Sequence, residues 1–341
     1  VKSTRVLIVD DSAFARKVLR DVLQAEPGVE VVGIARDGLD ALTKIEELDP
    51  DVVTLDLVMP HLNGLDTLRA LGARSRPRVI VVCMADSDSE QALEALEAGA
   101  VDVVHKPTAL ATDRLYDLAK ELVFKVHAAA EARTTPVLVA PPAQVLRVAA
   151  QRSARRDLLV IGASTGGPQA ITRLLRSLPA EFPIPIAVVV HLPAGFTQSF
   201  AERLDSECAL AVVEASEGVR LTAGIAVIAR GGLHLQVRRD EAGLYGSIDA
   251  SPATLHRPSV DQLFSSAAVA APGRVLAVVL TGMGDDGLVG SRRLAETGAE
   301  ILVETEASCV IYGMPRVVHE AGLASAQFRI DDMAAAILQR L

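Results

Sequence analysis

Tryptophan is absent from the 341 residues, and aromatic side chains of every kind amount to only 3%. The cores must therefore be built from Val, Leu, Ile and Ala, in a chain that is half hydrophobic. That share, with 23% charged residues, excludes general disorder. Basic charge is in deficit: 34 Lys and Arg stand against 43 Asp and Glu, a formal −9. Such a balance argues against nucleic acid as the main ligand. Long apolar runs are missing too. Stretches such as Ile184 to Val190 fall far short of the ~20 residues a membrane span needs, so direct membrane insertion is not expected. Cysteine is sparse, and Cys83, Cys208 and Cys309 have no metal-ligand spacing. With no charged-then-apolar leader at the start, this points to a reducing, cytoplasmic setting.

At roughly 100–200 residues per domain, the length favours two domains. Charge locates the joint: residues 1–125 hold 15 basic and 22 acidic residues, residues 126–156 hold five Arg and one Glu, and residues 157–341 return to a net −6. The middle stretch contains Pro136, Pro141 and Pro142 and shows no sustained helical period, which reads as a semi-rigid linker over 126–152. The expected division is a first domain at 1–125 and a second at 153–341.

In the first domain, Val/Ile runs at 6–9, 29–34, 52–55, 79–82 and 101–104 alternate with helical segments. Continuous apolar runs suit parallel strands buried on both faces, so the pattern predicts a doubly wound α/β sheet. Ser12 is placed to cap the first helix, and Pro27-Gly28 to stop it. The second domain repeats the alternation from Leu158. It is interrupted near 225–249 by Ile225–Ala229, Leu233–Val237 and Leu244–Ile248, which read as short antiparallel strands.

Ligands of open α/β sheets bind beyond the carboxyl ends of the strands. In the first domain those ends carry Asp10-Asp11, Asp56 and His105-Lys106-Pro107. For any one Asp alone, capping a turn is the commoner role. Together, converging carboxylates call for a hard cation such as Mg²⁺, and Lys106 offers a point charge for a phosphoryl oxygen. Residues 1–125 resemble a response-regulator receiver domain. The resemblance implies that Asp56, in "DVVTLDLVMP", accepts phosphate from a histidine kinase, that Asp10 and Asp11 complete a Mg²⁺ site, and that Lys106 faces the phosphate. Two positions depart from the family: Cys83 replaces the usual Ser or Thr, and Val103 replaces the usual aromatic residue. A thiol donates a weaker hydrogen bond than a hydroxyl, so phosphorylation is expected to proceed but to activate less than is usual.

The strongest catalytic signal is Gly162-Ala163-Ser164-Thr165-Gly166-Gly167, between an apolar strand and a helix that starts near Pro168. It fits a G-x-S-x-G elbow, which exposes a serine hydroxyl on a sharp turn. A phosphate-cradling glycine loop is the alternative, but there is no Walker lysine and no G-x-G-x-x-G spacing. A serine needs a base, and His191, at the end of the strand 186–190, is the best placed. A carboxylate is then expected from Asp285 or Asp286 in "LTGMGDDGLVG", either of which also reads as a helix cap. The order Ser, His, Asp is not that of an α/β-hydrolase, so an ordinary lipase is disfavoured.

The segments "IGASTGGPQAI", "VVVHLPAGFTQSFAERL", "HRPSVDQLFSSAA", "LTGMGDDGLVG" and "EASCVIYGMP" closely resemble the chemotaxis protein-glutamate methylesterases, the CheB family. The resemblance implies Ser164 as nucleophile, His191 as base and Asp286 as the orienting acid, with Thr165 and Met283 as candidates for oxyanion or substrate contacts. It further implies hydrolysis of glutamate methyl esters, and deamidation of selected glutamines, on the cytoplasmic helices of methylated chemoreceptors. No cofactor is expected for the esterase. The partners would be those receptors and a chemotaxis-type histidine kinase, and an unphosphorylated receiver would cover the esterase cleft. The rival reading is a receiver protein whose second domain binds receptors without catalysis.

Overall fold

Val- and Ile-rich runs with both faces buried become the strands of two parallel sheets. The computed structural model describes residues 3–72, 77–106, 115–132 and 156–341, and the chain divides into two units, Val1–Leu138 and Val139–Leu341. In the first unit the strands are β1 (Thr4–Val9), β2 (Val29–Ala35), β3 (Val52–Asp56), β4 (Arg78–Cys83) and β5 (Asp102–His105). They pair in parallel in the order β2-β1-β3-β4-β5. The order reverses at β1, so the residues that end β1 and β3 flank a topological switch point, where such sheets open a crevice.

Helix α1 (Ala13–Gln24) is capped as expected, with Ser12 Oγ accepting from the Ala15 N–H at 3.4 Å, and it buries Ala15, Leu19 and Leu23. The last helix of the unit corrects the expected linker. Helix α5 (Leu115–Glu131) runs through residues 126–131, with Val126, Ala128 and Ala129 buried. Leu122, Val126 and Ala129 recur at helical spacing, a narrow stripe among alanines that gives little contrast in composition. Lys125, buried on the same helix, donates to Asp102 Oδ1 at 2.9 Å and to the Val103 carbonyl, tying α5 to β5. The remainder of the expected linker, from residue 133 and including Pro136, Pro141 and Pro142, lies outside the described residues.

The second unit has seven parallel strands: β6 (Leu158–Ala163), β7 (Ile186–Val190), β8 (Ala211–Glu214), β10 (Ile225–Ile228), β13 (Val275–Val279), β14 (Glu300–Glu304) and β15 (Ala326–Phe328). Their order is β15-β14-β13-β6-β7-β10-β8, which places a second switch point at β6. A small antiparallel sheet holds β9 (Val219–Arg220), β11 (His234–Asp240) and β12 (Gly243–Asp249). Here the expectation for Ile225–Ala229 is corrected. That run pairs in parallel with β7 and β8, and only the two later runs form the hairpin. Its near-complete burial is that of a strand covered on both faces, whereas β11 alternates before its exposed end. Among the described residues, no helix is long and apolar enough to cross a membrane.

Candidate active site and acidic pocket

Three neighbouring strands, β13, β6 and β7, deliver the site of the second unit from the ends that face one crevice. Ser164 directly follows β6, and its N–H donates to the Thr281 carbonyl beyond β13 at 3.0 Å. The chain then turns through Gly166 at φ +76°, a left-handed conformation that favours glycine, into helix α6 (Gly167–Arg176) with Pro168 in its first turn. Gly282 is needed for a different reason. A Cβ there would sit 2.7 Å from Ser164 Cβ and 2.4 Å from Met314 Sδ, so only a glycine backbone passes this close to the serine.

His191, just past β7, spans the crevice. Its Nδ1 lies 3.1 Å from Ser164 Oγ and its Nε2 lies 2.9 Å from Asp286 Oδ2. Ser164 and His191 are buried, and the His256 ring stacks on His191 with centroids 4.1 Å apart. One imidazole nitrogen must accept while the other donates, and this geometry asks for a proton on Nε2 and a lone pair on Nδ1.

Asp286 is held by more than histidine. It sits at the start of helix α8 (Val260–Ala270), where Oδ1 accepts from Ser259 Oγ at 2.9 Å and from the Asp261 N–H at 2.9 Å, while Oδ2 accepts from the Val260 N–H at 2.7 Å. Burial alone would raise its pKa. The hydrogen bond and charge of His191, with the backbone donors, outweigh burial and hold the carboxyl well below the usual range. Asp285 is exposed and contributes its carbonyl to the Leu288 N–H, so the two adjacent acids have separate places.

Of the two loop candidates, Thr165 is buried, with its carbonyl accepting from Thr281 Oγ1 at 3.0 Å. Met283 is half-buried, next to the Gly282 that abuts Ser164. Thr281 in turn donates its N–H to Glu304 Oε2 at 2.8 Å, and its hydroxyl accepts from the Ile311 N–H at 3.0 Å. Glu304, at the end of β14, is 1% exposed, and burial raises its pKa despite that N–H. Sequence reasoning singled out none of Thr281, Glu304, Ser259, Asp261 or His256. The visible signals were a threonine opening the glycine turn, an acid ending an apolar strand, and Ser-Val-Asp at a helix start. His234, by contrast, accepts from the Ser259 N–H on Nδ1 at 3.2 Å and places Nε2 2.9 Å from the Pro252 carbonyl, away from the serine.

In the first unit, Asp10 and Asp56 are buried at the switch point and Asp11 is exposed beside them, with one carboxylate oxygen from each lying within 4.8 Å of the others. Lys106 Nζ reaches Asp56 Oδ2 at 2.5 Å, Asp10 Oδ2 at 3.2 Å and Asp11 Oδ1 at 4.0 Å. Even so, burial dominates Asp56. Together with the Asp10 charge it outweighs the Lys106 contact and raises the pKa from 3.8 to about 6. Cys83 and Val103 are both fully buried, at the end of β4 and within β5, and burial pushes the thiol far up, so it stays protonated.

The sequence matches two families: CheB methylesterase over residues 159–337 and the response regulator receiver domain over residues 6–119. A protein-glutamate methylesterase/protein-glutamine glutaminase 5 of Myxococcus xanthus is 53% identical over 338 residues, covering 98% of this chain and 97% of that one. A protein-glutamate methylesterase/protein-glutamine glutaminase of Geobacillus kaustophilus is 42% identical, covering 99% of each. The crystal structure of the Thermotoga maritima CheB methylesterase catalytic domain superposes with a TM-score of 0.54 at 35% identity, covering 55% of this chain and all of that domain. By these matches, and by the two parallel-sheet units that carry them, the chain belongs to the CheB methylesterase family, with a receiver domain ahead of its catalytic domain.

Proposed function

We propose that this chain hydrolyses glutamate methyl esters, and deamidates selected glutamines, on chemoreceptors, through Ser164, His191 and Asp286. The carrying observation is the unbroken hydrogen-bonded line from Ser164 Oγ through the His191 ring to Asp286, at 3.1 and 2.9 Å. His191 Nδ1 takes the Ser164 proton as Oγ bonds to the ester carbonyl carbon. Asp286 stabilises the imidazolium that forms, and the tetrahedral oxygen is held by backbone N–H groups, for which Thr165 and Met283 are the candidates. Collapse returns the proton to the methoxy oxygen and releases methanol. Water, deprotonated by the same nitrogen, then cleaves the acyl-serine to glutamate and free serine. Methanol release from methylated receptor fragments tests the reading. Receptor binding without methanol release would leave the non-catalytic rival standing.

The receiver is read as the regulator. Asp56 would take phosphate from a histidine kinase of the chemotaxis type, or from a small phosphodonor, and phosphorylation would raise the esterase rate. The pocket fits a Mg²⁺ ion: Asp10, Asp11 and Asp56 are hard oxygen donors close together, and the buried Asp10 Oδ2 makes no well-directed hydrogen bond. Bound there, the ion would neutralise the carboxylates and the incoming phosphoryl oxygens.

A stability measurement tests the electrostatics of the pocket directly. The folded pKa of Asp56 lies above its ordinary 3.8, at about 6, so the folded receiver binds the extra proton. Its contribution is therefore fully present below pH 3.8 and is lost as pH rises through about 6. Over that window it gives up about 3 kcal/mol. In metal-free urea titrations the receiver should have a higher midpoint at pH 5 than at pH 7.5. Asp56→Asn should remove most of that difference. An unchanged pH dependence in the variant would place the strain elsewhere.

A further inference from the structure

The triad acid sits inside a closed loop of hydrogen bonds between two helices. Asp286 caps α8 through the N–H groups of Val260 and Asp261. Asp261, second residue of α8, answers from the other side, its Oδ1 accepting from the Gly287 N–H at 2.9 Å and the Gly290 N–H at 2.7 Å. Those two donors open helix α9 (Leu288–Glu296), and Gly287 is the residue bonded directly to Asp286. Each aspartate thus supplies the anion at the start of the helix next to the other, where the N-terminal partial charge favours it. The helices meet closely as well: a Cβ on Gly290 would lie 2.5 Å from Phe264 Cβ and 3.1 Å from the Asp261 carbonyl oxygen.

Gly287 adopts φ +103° and has no Cβ to limit its rotation. Its N–H bond to Asp261 is therefore a principal restraint on the peptide that carries Asp286. We infer that Asp261 is a positioning residue of the active site, fixing through Gly287 the placement of Asp286 against His191. This rests on the proposed triad. The Asp261 carboxylate binds the Gly287 and Gly290 N–H groups and not the His191 ring or the serine, so it acts through the acid it restrains. Misplacing a catalytic group by about 1 Å costs on the order of 10²-fold in rate. A residue that merely capped α9 would change stability and leave the rate alone.

The test compares three variants of the full chain in methanol release from methylated receptor fragments. Asp261→Ala removes both acceptor contacts and should lower kcat by on the order of 10²-fold with KM within about twofold. Asp261→Asn keeps a neutral oxygen at the acceptor position and should restore kcat to within about fivefold of the parent. Asp261→Glu keeps the charge but displaces the acceptor by one methylene, and should turn over more slowly than Asp261→Asn. Should the alanine variant fail to fold, the order of the other two decides. A parental kcat in Asp261→Ala, or Asp261→Glu outperforming Asp261→Asn, overturns the inference. No methanol release from the parent chain would instead sink the triad reading on which it rests.

Discussion

Ser164→Ala in the full chain is expected to lower methyl-ester turnover by about 10⁴-fold or more and to leave the protein folded. The size of the loss follows from the division of labour at the site. Without Oγ there is no acyl-enzyme, and His191 faces a methyl group in place of a hydroxyl. What survives is the residual assistance of backbone donors and binding, which is small beside the covalent route. Folding is spared because the Ser164 hydroxyl has the His191 ring as its described partner, while the turn is held by its backbone: Ser164 N–H to the Thr281 carbonyl and Gly167 N–H to the Ser164 carbonyl. Alanine occupies the same Cβ position against Gly282 and needs no further space. Methanol release gives the rate, and thermal unfolding verifies the fold. Near-parental turnover would remove the serine mechanism, and a collapsed unfolding transition would mean the hydroxyl holds the elbow together.

Much of the architecture was legible because parallel strands buried on both faces read as unbroken Val/Ile/Leu runs, and the residues just after them fall at the sheet edge. Asp10, Asp56, Ser164 and His191 all stand immediately at or after such runs, so topology brings Asp10 and Asp56 to one sheet edge in the first unit and Ser164 and His191 to another in the second. Short or weakly contrasted segments were less legible. The run Ile225–Ile228 has the same apolar pattern whether it joins a hairpin or a parallel sheet, and only its pairing with β7 and β8 decides. The stripe on α5 beyond residue 125 is made of Val and Ala among more alanines, so the end of the helix was hidden.

The supporting contacts of the site were illegible for another reason. Asp286 meets α8 across 25–27 residues of sequence, and Thr281 meets Glu304 across 23. No local spacing announces such pairs. They exist because β13 and β14 are neighbours and because α8 and α9 pack against each other. Each also looks ordinary in isolation: an acid near a helix start reads as a cap, which Asp261 is, and only the folded chain shows that the residue it caps adjoins Asp286.

Asp286→Asn is expected to lose turnover by roughly 10³–10⁴-fold and, unlike Ser164→Ala, to lose stability as well. All four partners of the carboxylate can donate: Ser259 Oγ and Asp261 N–H on Oδ1, Val260 N–H and His191 Nε2 on Oδ2. An amide has one acceptor end and one donor end, so either orientation sets an NH₂ against a backbone N–H. With the NH₂ toward His191 and Val260, Nε2 must become the acceptor. The proton then moves to Nδ1, which faces Ser164 and, once protonated, cannot accept the serine proton. With the NH₂ toward Asp261, the tautomer survives, but the Asp261 N–H goes unpaired and the imidazolium loses its counter-charge. A buried donor left without a partner costs about 1–3 kcal/mol. At neutral pH the parent holds this contribution in full, because a carboxyl whose folded pKa is depressed stabilises the fold above its ordinary 3.8 and gives up that help only as pH falls through the lower folded value. Urea unfolding at pH 7 should therefore separate the two variants, Ser164→Ala matching the parent and Asp286→Asn falling below it. A fully active Asp286→Asn would dismiss the carboxylate from the mechanism, and an inactive one of parental stability would show that the start of α8 does not depend on it.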